Sequence, residues 1–217
     1  MDIKKQIIGI NKPLIIIFNS NIYDCTKFEL EKSLENFECN SIFLRDKYLS
    51  WYINGIDGFS KSLEETKNKL QEEIEQIKPN KIITIGLSSG GFAALYFGNL
   101  LKVNHIIACS PQIIINNNTI KYYYNKLKKI DKEISVLPLN EDINIDIFWC
   151  KFDNFTAVTK KQNPYVEQNR NDEQQYELVK NLKNVNNIQV EGGNHGEIMR
   201  IIIKNGELFK LINNIIL

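Results

Sequence analysis

The sequence predicts one α/β domain over residues 1–217, a three-layer sandwich around a mostly parallel sheet of about six strands. Short apolar segments rich in β-branched residues alternate with segments of helical periodicity. Such alternation builds a parallel sheet with helices on both faces. The chain has 217 residues, of which 43% are hydrophobic. This is enough for one large core and too little for two ordinary domains.

The first predicted strand, Leu14–Phe18, lies between Pro13 and Asn19 and is continuously apolar, as expected of a strand buried on both faces. The other predicted strands are 41–44, 82–85, 105–108, 145–149 and a weaker one at 188–190. The clearest helix follows Ser62, has Glu65 at capping-box spacing and ends before Pro79. A weaker helical pattern connects the first two strands through apolar residues at Phe28, Leu30, Leu34 and Phe37.

Composition excludes several classes of function. The formal net charge is only +1, so the protein lacks the excess of basic residues that attracts nucleic acid. No apolar run approaches the length of a membrane span or a signal peptide, so we expect a cytoplasmic protein. The four cysteines have no paired spacing, which disfavours disulfides and a zinc site. We expect no metal and no organic cofactor.

The strongest motif, Gly86 to Gly91, has the form G-x-S-x-G between a buried strand and a helix of small and apolar residues. This is the setting of a nucleophile elbow, in which glycines two residues before and after the serine let strand and helix approach. Ser88 is then the predicted nucleophile. The alternatives are a glycine-rich packing turn or a phosphate loop, but the latter requires a lysine after its glycines and none is present.

A serine nucleophile needs a base, and the chain has two histidines. His105 opens a predicted strand and therefore lies at the amino end of the sheet, opposite the predicted site. His195 lies in a glycine-flanked loop directly after the last predicted strand. Since ligands bind at the carboxyl ends of parallel strands, His195 is the predicted base.

The acid that orients the histidine is expected after a late strand. Asp153 follows the strand 145–149 and is the predicted acid, with Glu191 as its competitor. Two backbone N–H groups should form the oxyanion hole, one from Ser89 and one from the loop after the first strand, where we select Ser20. That loop's Asn19 is a neighbouring candidate for substrate contact.

Two further regions are candidates for specificity. Arg45, Trp51 and Tyr52 follow the second strand, where they would contact substrate or belong to the core. Residues 112–143 do not continue the alternation of strand and helix patterns and are predicted to form a lid. Its lysines would attract an anionic substrate or form a solvated helix face.

The chain resembles the α/β-hydrolase superfamily through the elbow at Gly86 to Gly91, Asp153 and the glycine-flanked His195. It is also similar to bacterial capsular-polysaccharide O-acetyltransferases and related polysaccharide esterases of that fold. The segments that carry this likeness are 43–46 with 51–55, 85–91, 110–112, 150–153 and 193–195.

The resemblance implies acyl transfer on a glycan through an acyl-Ser88 intermediate, with a glycan or small-molecule ester and an acyl donor as partners. A carboxylesterase or thioesterase for small molecules is the first alternative. The second is a catalytically silent protein that keeps this fold and binds a partner. Short motifs do not separate a transferase from a hydrolase, since both form the acyl-enzyme.

Overall fold

The computed structural model of the chain describes residues 2–20, 26–117, 132–150 and 166–217, and for 166–171 it describes the backbone alone. The strands are β1 (Ile3–Gln6), β2 (Leu14–Phe18), β3 (Asn40–Leu44), β4 (Ile82–Leu87), β5 (His105–Cys109), β6 (Ile114–Ile115), β7 (Ile134–Ser135), β8 (Asn144–Cys150) and β9 (Val185–Val190). The helices are α1 (Glu31–Leu34), α2 (Leu63–Ile77), α3 (Ser89–Leu101), α4 (Val166–Glu177), α5 (Ile198–Lys204) and α6 (Glu207–Ile216).

Seven strands form the central sheet in the order β1-β3-β2-β4-β5-β8-β9. Six of them are parallel, and only β1 pairs antiparallel with its neighbour. The register places Phe18 beside Gly86 and Leu87 beside Cys109. The carboxyl ends of β2, β4 and β5 therefore meet at one edge of the sheet, where a site is expected.

Helices cover both faces of the sheet, and β2 shows why its sequence is apolar throughout. Leu14, Ile16 and Phe18 pack with α2 and α3 on one face. Ile15 and Ile17 face the opposite core, which is completed by α1, α5 and α6. The predicted three-layer α/β architecture is confirmed.

The six predicted strands are all present, most of them one to three residues longer than predicted. The sequence missed β1, because its residues are mostly polar and it lies at the edge of the sheet. The helical pattern before β3 yields only the short α1, since Leu30 just before it has φ 60 and interrupts the helix. The helix α2 matches its prediction, and Ser62 Oγ accepts from Glu65 N at 3.1 Å.

The predicted lid is described only at its base. There β6 pairs antiparallel with β7 and brings together the two ends of the insertion, while residues 118–131 lie outside the described part of the chain. Within the described residues, no helix has both the length and the apolar character needed to cross a bilayer.

Candidate active site

Ser88 lies in the turn between β4 and α3, in a backbone conformation that serine rarely adopts. Its φ of 55° and ψ of −118° lie outside the ordinary regions for a residue with a side chain. The turn is held on both sides: Ser88 N donates to Cys109 O at 2.8 Å, and Phe92 N donates to Ser88 O at 2.9 Å. Ser88 is partly exposed, whereas its neighbours Leu87 and Ser89 are buried. The strained turn therefore leaves the Ser88 hydroxyl accessible at the edge of the sheet, between two buried neighbours.

The flanking glycines are required by close backbone contacts. A Cβ at Gly86 would lie 2.1 Å from Gly90 O, and a Cβ at Gly90 would lie 2.0 Å from Phe18 O. No side chain fits at either position without moving backbone. The glycines two residues before and after Ser88 are therefore required by close backbone contacts, as the sequence predicted.

The imidazole of His195 is hydrogen-bonded to this serine. His195 Nε2 lies 2.8 Å from Ser88 Oγ, and the side chain is almost entirely buried. The histidine belongs to the loop between β9 and α5, where Gly193 has φ +79 and a Cβ would meet Ile201 Cδ1 at 2.4 Å. The structure brings together the two residues that the sequence selected as nucleophile and base.

The carboxylate on the other imidazole nitrogen is Asp172, which the sequence analysis did not select. Its Oδ2 lies 2.7 Å and its Oδ1 2.9 Å from His195 Nδ1, and the side chain is fully buried. We therefore replace Asp153 by Asp172 as the candidate acid, while Asp153 itself lies outside the described residues. The competitor Glu191 is exposed beyond the end of β9.

Asp172 is placed by α4, which connects β8 to β9. Gln175, Tyr176 and Val179 follow it at spacings of three, four and seven, the spacing of one helix face. Gln175 Oε1 accepts from Ile113 N at 2.7 Å, and the Tyr176 ring packs edge-on against Trp149. An aspartate within such a face was the signal that could have identified Asp172.

The predicted oxyanion loop lies beside the elbow. A Cβ at Gly90 would come within 2.8 Å of Asn19 O, so the chain that leaves β2 packs directly on the start of α3. Ser20 is the next residue, and its Oγ donates to Glu29 Oε1. Ser89 begins α3, where backbone N–H groups have no partner within the helix.

Both polar atoms of the Asn19 side chain form hydrogen bonds within the loop that follows β2. Its Nδ2 donates to Lys27 O and its Oδ1 accepts from Glu29 N, both at 3.0 Å. These contacts tie the beginning and the end of the loop together. They support a role for Asn19 in loop geometry.

Arg45, predicted as a substrate contact, makes internal contacts. Its Nη2 donates to Asp2 Oδ1 at 3.0 Å, and its guanidinium lies 4.2 Å above the Phe28 ring. Its side chain is 12% exposed. These contacts anchor the start of the chain to the end of β3.

Trp51 and Tyr52 are in the core, which was the alternative to substrate contact. Trp51 Nε1 donates to Gln112 Oε1 at 2.7 Å, and Tyr52 Oη lies 2.9 Å from the carbonyl oxygen of Asn19. Both residues have positive φ, and their turn is held by Asp46, which accepts from Tyr52 N at 2.8 Å. Burial raises the pKa of the Asp46 carboxyl, and the backbone donors oppose that rise.

Two buried thiols lie at the ends of β5 and β8. Burial raises the pKa of Cys150 to about 12 and raises that of Cys109 further. Both thiols are therefore protonated and unreactive at neutral pH. Within the described residues, no cluster of three or more histidine, cysteine, aspartate or glutamate side chains could hold a metal ion.

The chain matches no model of a known protein family. No curated protein matches its sequence. The solved structures do give matches, and the first of them concern the capsule O-acetyltransferase of Neisseria meningitidis serogroup A. One structure of that enzyme shares 20% identity with a TM-score of 0.66, over 97% of this chain and 89% of the other. Another shows a variant of the enzyme in complex with CoA.

Two further matches have lower TM-scores. Est1E from Butyrivibrio proteoclasticus has a TM-score of 0.53 at 11% identity, over 95% of this chain and 92% of that one. FphF, a fluorophosphonate-binding serine hydrolase of Staphylococcus aureus, has a TM-score of 0.55 at 13% identity, over 94% and 85%. At these identities the likeness establishes the α/β-hydrolase fold, which the chain shares with the capsule O-acetyltransferase structures.

Proposed function

We propose that the protein is a serine-dependent acyl-transfer enzyme that forms an acyl-Ser88 intermediate, with His195 as base and Asp172 as acid. The observation that carries the proposal is the hydrogen-bonded series Asp172–His195–Ser88, built from three separate connections of the fold. A serine, an imidazole and a buried carboxylate in this order form the recurrent constellation of acyl-transfer enzymes.

In the first half-reaction, His195 Nε2 accepts the Ser88 hydroxyl proton as Oγ attacks the acyl carbonyl carbon. Asp172 keeps the proton of the neutral imidazole on Nδ1 and stabilises the imidazolium that forms. The negative charge that develops on the carbonyl oxygen would be bound by the backbone N–H groups of Ser89 and Ser20. The intermediate then collapses, the leaving group takes the proton from His195, and Ser88 remains acylated.

In the second half-reaction, His195 takes a proton from the attacking group as its oxygen bonds to the acyl carbon; that group is water in a hydrolase and an acceptor alcohol in a transferase. The bond between the acyl carbon and Ser88 Oγ then breaks, and His195 returns the proton to Oγ. Acyl transfer to or from a glycan, acetyl above all, is the substrate class we favour. Its support is the likeness to the capsule O-acetyltransferase along almost the whole chain. Because that enzyme has been seen with CoA, an acyl thioester is the acyl donor to test first.

The likeness to Est1E and FphF supports the simpler alternative, hydrolysis of a small ester. The two reactions are distinguished by the fate of the acyl group. With acetyl-CoA, a transferase should release free CoA faster when a polysaccharide acceptor is added and should acetylate that polysaccharide. Release at an unchanged rate, with acetate as the only product, would favour the hydrolase.

A fluorophosphonate probe tests the acyl-enzyme chemistry directly. We expect the wild-type protein to be labelled on the peptide that contains Ser88, as determined by mass spectrometry, because the probe requires an activated serine. Asp146→Asn, which changes a buried carboxylate at the other end of the sheet, should be labelled at the wild-type rate. An unlabelled wild-type protein would mean that the chain is a silent member of its fold.

A further inference from the structure

The loop after β2 is closed by hydrogen bonds around one carboxyl group, that of Glu29. Ser20 Oγ donates to Glu29 Oε1, and the Glu29 backbone N–H donates to Asn19 Oδ1 at 3.0 Å. The carboxyl therefore lies against Ser20, the residue proposed to supply one oxyanion donor.

Among the described residues, no positively charged side chain acts on the Glu29 carboxyl, and its buried Oε2 has no hydrogen-bond partner there. The described titratable groups that interact with this carboxyl from neighbouring elements include the Cys109 thiol and the Tyr52 hydroxyl. Asp2 and Asp46 act on that same tyrosine and add negative charge to the region. On its own segment, Lys27 is exposed.

Two charged groups near the described part of this loop, Arg45 and Glu31, have partners elsewhere. Arg45 pairs with Asp2, and its guanidinium lies over Phe28. Glu31 pairs with Lys4. Burial without a cation favours the neutral acid and raises the pKa of Glu29 to about 7, although the contacts from Ser20 lower it.

We propose that Glu29 is a positioning residue of the oxyanion hole, whose carboxyl holds Ser20 through the serine hydroxyl and whose ionisation places a buried negative charge beside the oxyanion. This inference rests on the proposed acyl transfer at Ser88. When Glu29 is neutral, no charge on its carboxyl opposes the developing oxyanion. When Glu29 is ionised, it adds a buried negative charge beside the charge that the site must stabilise.

The sign of the pH effect follows from these two states. His195 must be neutral to act as a base, so the rate rises as the imidazole loses its proton. Ionisation of Glu29 near neutral pH weakens the oxyanion hole, so the rate falls again as the pH increases further. The expected profile is a bell whose descending side belongs to Glu29.

The test compares kcat/KM for p-nitrophenyl acetate from about pH 5 to about pH 9.5 in wild type and Glu29→Gln. Glutamine can accept from Ser20 Oγ but cannot ionise. From its optimum to the alkaline end, the wild-type value should fall about fivefold to tenfold, a fraction of the effect of losing one oxyanion donor. In Glu29→Gln, the value should stay within about twofold of its maximum over that range.

Two other variants keep the test decisive. Glu31→Gln removes a carboxylate of the same segment that pairs with Lys4 outside the site, and it should keep the wild-type profile. Ser20→Ala removes the hydroxyl donor that favours the charged form of Glu29, so its descending side should move to higher pH. This second result is expected even if Glu29→Gln fails to fold.

The outcomes separate this inference from the proposed function. An active wild type whose alkaline decline is retained in Glu29→Gln, or is unmoved in Ser20→Ala, overturns the role of Glu29 alone. A wild type without an alkaline decline does the same. If wild-type Ser88 reacts with neither the ester nor a fluorophosphonate, the acyl-transfer proposal fails and this inference fails with it.

Discussion

The molecule contains two histidine–carboxylate pairs, one at each end of its parallel sheet. His195 Nδ1 lies 2.7 Å from Asp172 at the carboxyl ends of the strands. His105 Nε2 lies 2.6 Å from Asp146 near the amino ends, where His105 begins β5 and Asp146 is the third residue of β8. Distance and residue type do not distinguish the pairs. The two pairs differ in the further side chain to which each pair is hydrogen-bonded.

The second imidazole nitrogen of His195 meets the strained Ser88. At the amino ends, the second carboxylate oxygen of Asp146 accepts instead from Asn186 at 2.7 Å. A surface cavity of about 560 Å³ adjoins His105, and Lys81 and Lys102 lie on its wall. The presence of a cavity would therefore not by itself identify the candidate active site. The hydroxyl of Ser88 at hydrogen-bond distance from His195 is the observation that supports the carboxyl end as the candidate active site.

The largest effect should come from Ser88→Ala, which removes the proposed nucleophile beside His195. We expect a loss on the order of a thousandfold or more in the turnover of p-nitrophenyl acetate, because no acyl-enzyme can form. Circular dichroism should show an unchanged fold. Turnover near the wild-type rate in the folded variant would remove the functional difference between the two ends.

Replacing each histidine tests the same contrast on the base. His195→Ala should lower kcat about as much as the loss of Ser88 does, since the residues of such a site act as a unit. His105→Ala should leave kcat within about twofold of wild type, because four residues of β5 separate it from the site, roughly 13 Å. Equal losses in the two variants would contradict the assignment of the base.

Asparagine substitutions of the carboxylates should have a smaller effect. Asp172→Asn should lower kcat about a hundredfold or more, because the amide favours the wrong imidazole tautomer, while some activity remains. Asp146→Asn should keep the wild-type rate. Comparing Asp153→Asn with Asp172→Asn tests which of the two carboxylates acts with His195: the one predicted from the sequence or the one that the structure places beside it. A severe loss in Asp153→Asn with none in Asp172→Asn would restore Asp153.

The smallest effect should be one of stability at the amino ends. Asp146→Asn loses the charge in its contacts with His105 and Asn186, which should cost about 1–2 kcal/mol. In a chain of this size, that corresponds to a fall in Tm of about 2–8 °C, which calorimetry can measure. An unchanged Tm would show that the second pair contributes nothing to the folded state.

Local sequence patterns predicted most of the fold. The buried strands were recognisable because both faces of each strand are covered, so that their segments are continuously apolar. The edge strand β1 lacked that signal, since one side of it has no neighbour and polar residues are tolerated there. The helix at Glu31–Leu34 was overestimated because apolar spacing does not reveal that Leu30 adopts a positive φ.

Residues of the candidate site could be predicted where the signal lies in the sequence immediately around them. Ser88 and His195 follow strand ends and have glycine neighbours, and both signals are local. Asp172 depends on how the helix between β8 and β9 lies against the sheet, a tertiary property that a rule of strand order does not contain. For Trp51 and Tyr52, sequence left core and substrate contact open, and only the packing showed that they are buried.

The two glycines around Ser88 have a consequence for how related chains should be compared. Gly86 and Gly90 are fixed by contacts of backbone with backbone, which would persist in a protein that had abandoned catalysis. Ser88 has no such constraint, and its backbone strain would favour replacement by glycine once the hydroxyl was no longer needed. In a lineage of such chains, the glycines would therefore record descent, and only the residue between them would record whether the chemistry had survived.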